Sequence, residues 1–329
     1  MTHLHLGRRG PVPQLAWPVL NVPVTTLPAL VLSALLVLVS ACRADDAQDA
    51  GNTMALPADA VMVLAQDLRR DDLQAYARHA LPPALHAQMQ VAWSQGRTIW
   101  PLTQLPLDQQ VPAMVAALAE PGASEALTNS YKRQFAGAHS ELKAAASTMG
   151  LFAAQYVNGE ESYSEQEREH LLQVIAALTR WGQKAPLGDP QRAREAIPRL
   201  VAAARATGLA SPEAFASADM SPSLQRLGPF FAQVKRELVA YGLDLDSALD
   251  SLQATLLDQT GDSARVRLRY TLAGSPIDAV LLMERHDGRW YLSDTLRHAR
   301  EQAAPAVAEA AATASGAAPE SVGTPSDGG

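Results

Sequence analysis

Between Ala264 and Leu272 the chain alternates without a fault: Ala264, Val266, Leu268, Tyr270 and Leu272 are apolar, and Arg265, Arg267, Arg269 and Thr271 lie between them. A period of two with one wholly apolar side specifies a β-strand with one buried face. Gly261-Asp262 before this strand, Gly274-Ser275 after it and Asp287-Gly288 further on suit two-residue hairpin turns. Residues 251–300 therefore read as a four-stranded antiparallel meander, about Gln253–Leu292, followed by a short helix. Taken literally, the turns set Leu257 opposite Val266, Leu268 opposite Leu281, Val266 opposite Met283 and Met283 opposite Leu292. All of these are apolar, as one buried face requires. On the other face Arg265 falls between Asp258 and Glu284.

Upstream, residues 57–250 carry helical periodicity. Pro57 opens a series Val61, Leu64, Leu68 that predicts a helix to about His79, stopped by Pro82-Pro83. A second helix runs from there to near Gly96, and a third covers Leu107–Ala119, closed by Pro121-Gly122. Leu127, Tyr131, Phe135, Ala138, Leu142, Ala145, Met149, Phe152 and Tyr156 then repeat in steps of three and four, which predicts one long helix with this stripe in the core. Asn158-Gly159 stops it. Ser164-Glu165-Gln166-Glu167 is a capping box for a helix through Leu171, Val174, Leu178 and Trp181. Asp189-Pro190, Ser211-Pro212 and Ser221-Pro222 each place a capping side chain before a first-turn proline. Pro198 and Pro229 are expected to kink or restart their helices. The fold class is α+β, predominantly α-helical, with the C-terminal four-stranded meander packed on helices.

Composition removes several function classes. The 27 Lys and Arg are outnumbered by 34 Asp and Glu, a formal charge of −7. That balance opposes sequence-independent nucleic-acid binding, which depends on many Lys and Arg contacts to phosphate. A single cysteine excludes a disulfide framework and a multi-cysteine zinc site.

The position of that cysteine is informative. Arg8-Arg9 precede a proline-broken uncharged stretch, and Ala29–Val39 is almost wholly apolar, the length of a secretory core and short of a bilayer span. Val39-Ser40-Ala41-Cys42 follows and resembles the lipobox of bacterial lipoprotein precursors. The resemblance implies a signal peptide over 1–41, cleavage between Ala41 and Cys42, and diacylglycerol and further acylation at Cys42. Two or three acyl chains are what stable anchoring requires. Residues 42–56 then form a lipidated tether. Arg43 and Ala44 follow the cysteine instead of an Asp, which by the family's sorting rule implies the periplasmic face of the outer membrane. The implied partners are the membrane, the lipoprotein-processing and sorting machinery, and a periplasmic protein or ligand; nucleic acid is not among them. Residues 301–329, rich in Ala, Pro, Gly and Ser, read as a disordered tail.

The meander, ending in His286-Asp287-Gly288-Arg289-Trp290-Tyr291-Leu292, resembles the final sheet of cystatin/NTF2-like domains of bacterial lipoproteins. The opening helix, with Arg70-Asp71-Asp72-Leu73 after its apolar stripe, is similar to theirs too. That family is functionally mixed, so the resemblance implies a fold and leaves the activity open.

Local motifs assign no catalytic residue, no metal site and no cofactor. Ser140-Glu141-Leu142-Lys143 and Tyr156-Val157-Asn158 match two elements of penicillin-recognising enzymes, but they sit close together on one helix and no Lys-Thr-Gly follows. Glu167-Arg168-Glu169-His170 holds one Glu-x-x-His, where a di-iron bundle needs two. His79, His86, His139, His286 and His298 stand apart. Arg265, Arg267 and Arg269 are candidate ligands for an anion such as a lipid head group; the alternative is a solvated charge ladder whose stems cover the sheet. Two functions follow: a non-catalytic envelope lipoprotein that binds a partner or ligand, or an envelope-acting enzyme whose site is assembled from distant residues.

Overall fold

Several helices in this protein begin where a capping side chain or a proline stands. In the computed structural model, which describes residues 54–104 and 110–314, α1 (Pro57–Arg69) and α3 (Pro83–Ser94) start on proline, and α2 (Leu73–Ala80) starts on Asp72, whose carboxylate accepts from Ala75 N at 2.8 Å. A 3-10 turn (Leu102–Gln104), α4 (Gln110–Ala119), α5 (Ala123–Gln134) and α6 (His139–Gly159) follow. Ser164 caps α7 (Glu165–Gly182) by accepting from Glu167 N at 3.0 Å, and Asp189 caps α8 (Pro190–Ala206). Then come α9 (Pro212–Ser217), α10 (Met220–Ala240), α11 (Leu245–Asp250), strands β1 (Gln253–Thr260), β2 (Ser263–Leu272), β3 (Ser275–His286) and β4 (Arg289–Leu292), and α12 (Ser293–Ala314). The chain is thus an α+β protein, mostly helical, with an antiparallel sheet in the order β1-β2-β3-β4. The expected leader, Cys42, residues 42–53 of the tether, the Leu107–Gln109 helix start and residues 315–329 of the tail lie outside the described residues.

One core joins the sheet to the helices. Val266, Leu268 and Leu272 of β2 are fully buried and cluster with Val61, Leu64 and Leu68 of α1, Trp93, Trp100 and Trp290. α7 lies along β3 beyond the reach of short β4. There the Gln173 amide accepts from Asp278 N at 2.9 Å and donates to Asp278 O at 2.8 Å. One side chain therefore stands in for a missing strand neighbour on an otherwise open edge.

Several expectations from the sequence need correction. The helix expected to run to His79 breaks at Arg70–Asp72. Asp71 takes a left-handed φ of 60°, Asp72 caps the next helix, and the Lys235 ammonium donates to the last carbonyls of α1, Leu68 O at 3.1 Å and Arg69 O at 3.3 Å. The prolines inside α8 and α10, Pro198 and Pro229, end neither helix. Asp219 rather than Ser221 stands at the N-terminus of α10. α12 continues through the expected tail boundary to Ala314, with Ala303 buried. Alanine has the highest helix propensity, and elongating a helix already nucleated on the core is far easier than starting one.

The long helix expected over 127–156 is two. Gly137, at φ 78°, turns the chain, and its N–H donates to Gly188 O at 2.9 Å. Tyr131 before the break is buried with Ile197 and Val201, as the stripe requires, but Leu151, Phe152 and Tyr156 after it are 69, 64 and 63 % exposed. α6 packs on α7 through its small residues instead. A Cβ on Gly150 would lie 2.0 Å from Thr179 Oγ1, and Ala153 and Val157 meet Leu171 and Ile175. From Ala144 to Gly159 the sequence carries no charge, so periodicity left every face open and close approach of the backbones chose the narrow one. Phe152→Ser should therefore change the unfolding free energy by no more than about 0.5 kcal/mol, as exposed positions do, where a core phenylalanine would cost about 3–5; urea titration of both chains separates these outcomes.

In the sheet, Gly261-Asp262 and Asp287-Gly288 form the expected turns, and Met283 faces Leu292. The middle turn is Ala273-Gly274, both at positive φ, rather than Gly274-Ser275, so Leu272 pairs with Ser275. Leu268 consequently faces Ala279 in place of Leu281, Val266 faces Leu281, and Ala264 faces Met283. The slip is by two residues, which preserves the faces. A bulge at Leu257 puts Leu256 opposite Val266 and leaves both leucines exposed on an edge strand.

Candidate functional site

Two helices end beside one hairpin, and their ends bring basic side chains together. α7 closes with Arg180-Trp181-Gly182, where a cation suits the C-terminal carbonyls. Lys184 follows in the connecting turn, and the Asp189 cap starts α8 so that Arg192 lies in its first turn. α10 ends at Val239-Ala240, and Tyr241-Gly242 turn away, Gly242 at φ 83°. With the Ala273-Gly274-Ser275 hairpin these residues line an open cleft of about 650 Å³.

The walls are held by specific bonds. Buried Trp181 donates its indole N–H to Tyr241 O at 2.9 Å. Arg180 Nε donates to the buried Ser275 hydroxyl at 3.2 Å. Arg192 donates to Ala240 O and pairs with Asp189 at 3.3 Å. Lys184 has no side-chain partner among the described residues. Burial, with Asp189 and Glu237 adding to it, pushes the Tyr241 phenol up, so its hydroxyl remains a hydrogen-bond donor at neutral pH. Arg180, Lys184 and Arg192 line the cleft, and among the described residues no carboxylate does. Such a site attracts and orients an anion; its guanidinium groups hold their protons and do not exchange them.

Compared with known proteins, the chain matches no family model, no curated protein and no solved structure, so the reading of this cleft rests on its own residues.

The residues singled out from sequence lie elsewhere. Ala41 and Cys42 are outside the described residues. Arg265, Arg267 and Arg269 stand on the exposed face of β2: Arg265 pairs with Asp258 at 2.6 Å, Arg267 with Asp278 at 2.5 Å, and Arg269 with Asp278 at 3.3 Å. Arg267 holds the Asp278 carboxyl below the usual carboxylate range. Glu284, expected beside Arg265, lies opposite Ser263 and pairs with His286 and Arg300. Ser140 donates to Glu141 at 2.9 Å, and Lys143 is exposed on α6.

Glu167 and His170 diverge. Glu167 pairs with Arg297 at 2.7 Å and lies 3.5 Å from His298, while His170 Nε2 is 2.9 Å from the Tyr270 hydroxyl. Among the described residues no cluster of His, Cys, Asp and Glu is arranged to hold a metal ion. Burial, aided by Asp294, pushes Glu167 up to about 7 against the pull of Arg297, and burial pushes His170 down to about 4. The two act on stability with opposite signs. Below its ordinary value of about 6.5, unfolded His170 binds a proton that the folded chain refuses, so its contribution falls as pH drops towards 4. Folded Glu167 keeps a proton that the unfolded chain has lost above 4.5, so its contribution falls as pH rises towards 7. Each is on the order of 2–3 kcal/mol across its window. Glu167→Gln should steepen the acid-side loss of stability between pH 6.5 and 4.5, and His170→Gln should reverse it. Denaturant midpoints across that range, unchanged in either variant, would refute the assignment.

Proposed function

We propose that this chain is a lipid-anchored, non-catalytic binding protein of the cell envelope, and that the cleft bounded by Arg180, Lys184 and Arg192 takes its anionic ligand. The observation that carries the binding role is the convergence of those three cations, from α7, the following turn and α8, on a cleft also lined by Trp181 and Tyr241 and, among the described residues, by no acid. The anchor rests on Val39-Ser40-Ala41-Cys42 at the exit of an apolar stretch. Among the described residues no helix is long and apolar enough to cross a membrane. Arg43-Ala44 after the cysteine supports the periplasmic face of the outer membrane as the address, with the processing and sorting machinery as the protein's first partners.

Radiolabelled palmitate should enter the wild type and not Cys42→Ser; equal labelling of both ends the anchor reading. In separated membranes the protein should band with the outer membrane, and Arg43→Asp should shift it to the inner one. Recovery of the wild type in the inner-membrane fraction refutes the address while leaving the anchor standing.

A further inference from the structure

The cleft carries more than positive charge. Arg192 already has a carboxylate partner in Asp189, whereas Arg180 is bonded only through Nε to a neutral hydroxyl and Lys184 has no side-chain partner among the described residues. Two positive charges are therefore left over, with the terminal guanidinium nitrogens of Arg180 and the three ammonium donors of Lys184 still to be satisfied. Donors on separate elements suit a tetrahedral group with several acceptor oxygens and up to two negative charges better than a planar carboxylate, and that group is a phosphate. Tyr241 lines the same cleft.

The rest of the lining is apolar and half open. Val239 is 52 % exposed, Ala240 beside it is exposed, and both line the cleft together with buried Trp181 and half-buried Tyr241. An isolated exposed valine needs no explanation, but one that borders a cationic cleft offers a surface for methylene groups next to the anion site. The volume, about 650 Å³, falls in the range of small-molecule sites and exceeds what a bare phosphate occupies.

We infer that the cleft binds a phosphate-bearing amphiphile, the phosphate held by Arg180 and Lys184 and the apolar portion laid against Val239 and the Trp181–Tyr241 wall. This rests on the reading of the cleft as an anion site and adds the ligand class to it. The anchor gives such a ligand a source: the ~14-residue tether between Cys42 and Pro57 spans at most ~50 Å, so the domain stays near lipid head groups.

The test uses the full chain in non-ionic detergent, titrated with phosphatidylglycerol, phosphatidylcholine or glycerol 3-phosphate and read by native mass spectrometry. Phosphatidylglycerol should be retained about tenfold more tightly than either comparison compound, since phosphatidylcholine cancels the charge and glycerol 3-phosphate lacks the apolar part. The double variant Arg180→Gln/Lys184→Gln changes two exposed side chains, and a melting temperature equal to wild type shows that it folds. It should lose the preference, and Lys184→Arg should keep it. Equal retention of glycerol 3-phosphate and phosphatidylglycerol overturns the amphiphile while sparing the anion site. Phosphatidylglycerol binding that is unchanged in the double variant, or no binding of either phosphate compound, overturns both. Neither result bears on palmitate labelling at Cys42.

Discussion

Lys235→Ala should lower the unfolding free energy by about 3–5 kcal/mol, the range for removing one partner of a buried ion pair. Lys235 is only 4 % exposed, and its ammonium meets Asp71 at 2.7 Å, Asp246 at 2.6 Å and the two terminal carbonyls of α1. One side chain from α10 thus closes the end of α1, holds the left-handed turn before α2 and ties in α11. Burial already pushes the Asp71 carboxyl up even with Lys235 present to oppose it, so removing the ammonium leaves a disfavoured charge and takes a donor from the Leu68 and Arg69 carbonyls, of which Leu68 O keeps Asp71 N at 3.2 Å. Lys235→Met, which retains the apolar stem, should recover little of the loss. Asp246→Asn, at a half-exposed partner, should cost far less. Gly228 probes the same corner independently: a Cβ there would lie 2.5 Å from Asp71 O, so Gly228→Ala must displace backbone and should also destabilise. Urea unfolding decides the matter. A loss below about 1 kcal/mol for Lys235→Ala would mean that this network does not hold the helices together.

Leu268→Ala is the second large effect, a loss of about 2–5 kcal/mol from transfer and cavity terms together. Leu268 is fully buried at the centre of β2, opposite Ala254 and Ala279, both too small to fill the space it would leave. Its neighbour Arg267 points the other way, exposed and paired with Asp278, so Arg267→Ala should disturb the melting temperature far less. Comparable losses in the two variants would place the faces of the sheet the wrong way round.

The periodicities that were legible share a property: each is a local rule with one physical solution. Alternation from Ala264 to Leu272 dictated which face of β2 is buried, and it did so even though the β2–β3 register slipped, because a two-residue slip leaves the faces unchanged. Ser164, Asp189 and Ser211 marked helix starts, since a capping side chain satisfies backbone N–H groups two or three residues away. Where several answers had similar local energy, sequence was silent. From Ala144 onward α6 is uncharged with apolar residues on every side, and the close fit of Gly150 against Thr179 leaves Phe152 facing outward. The break at Asp71 depends on Lys235, far along the chain.

The candidate cleft falls on the silent side of this division. Arg180 and Lys184 are four residues apart in the chain, but Lys184 lies beyond the end of α7, so helix spacing does not set their shared side. Arg192, Tyr241 and Ser275 join them only because α8, α10 and the β2–β3 hairpin end at the same corner of the fold. By itself the sequence determined the mostly helical character of residues 57–250, the meander after them, the buried face of the sheet and the cysteine position on which the anchor proposal rests. Tertiary structure decided which apolar side of α6 stays in water, where α1 stops, and which bases meet at the cleft. Local propensity acts over a few residues and is encoded there; packing compares surfaces distant in the chain, and its outcome exists only once they touch.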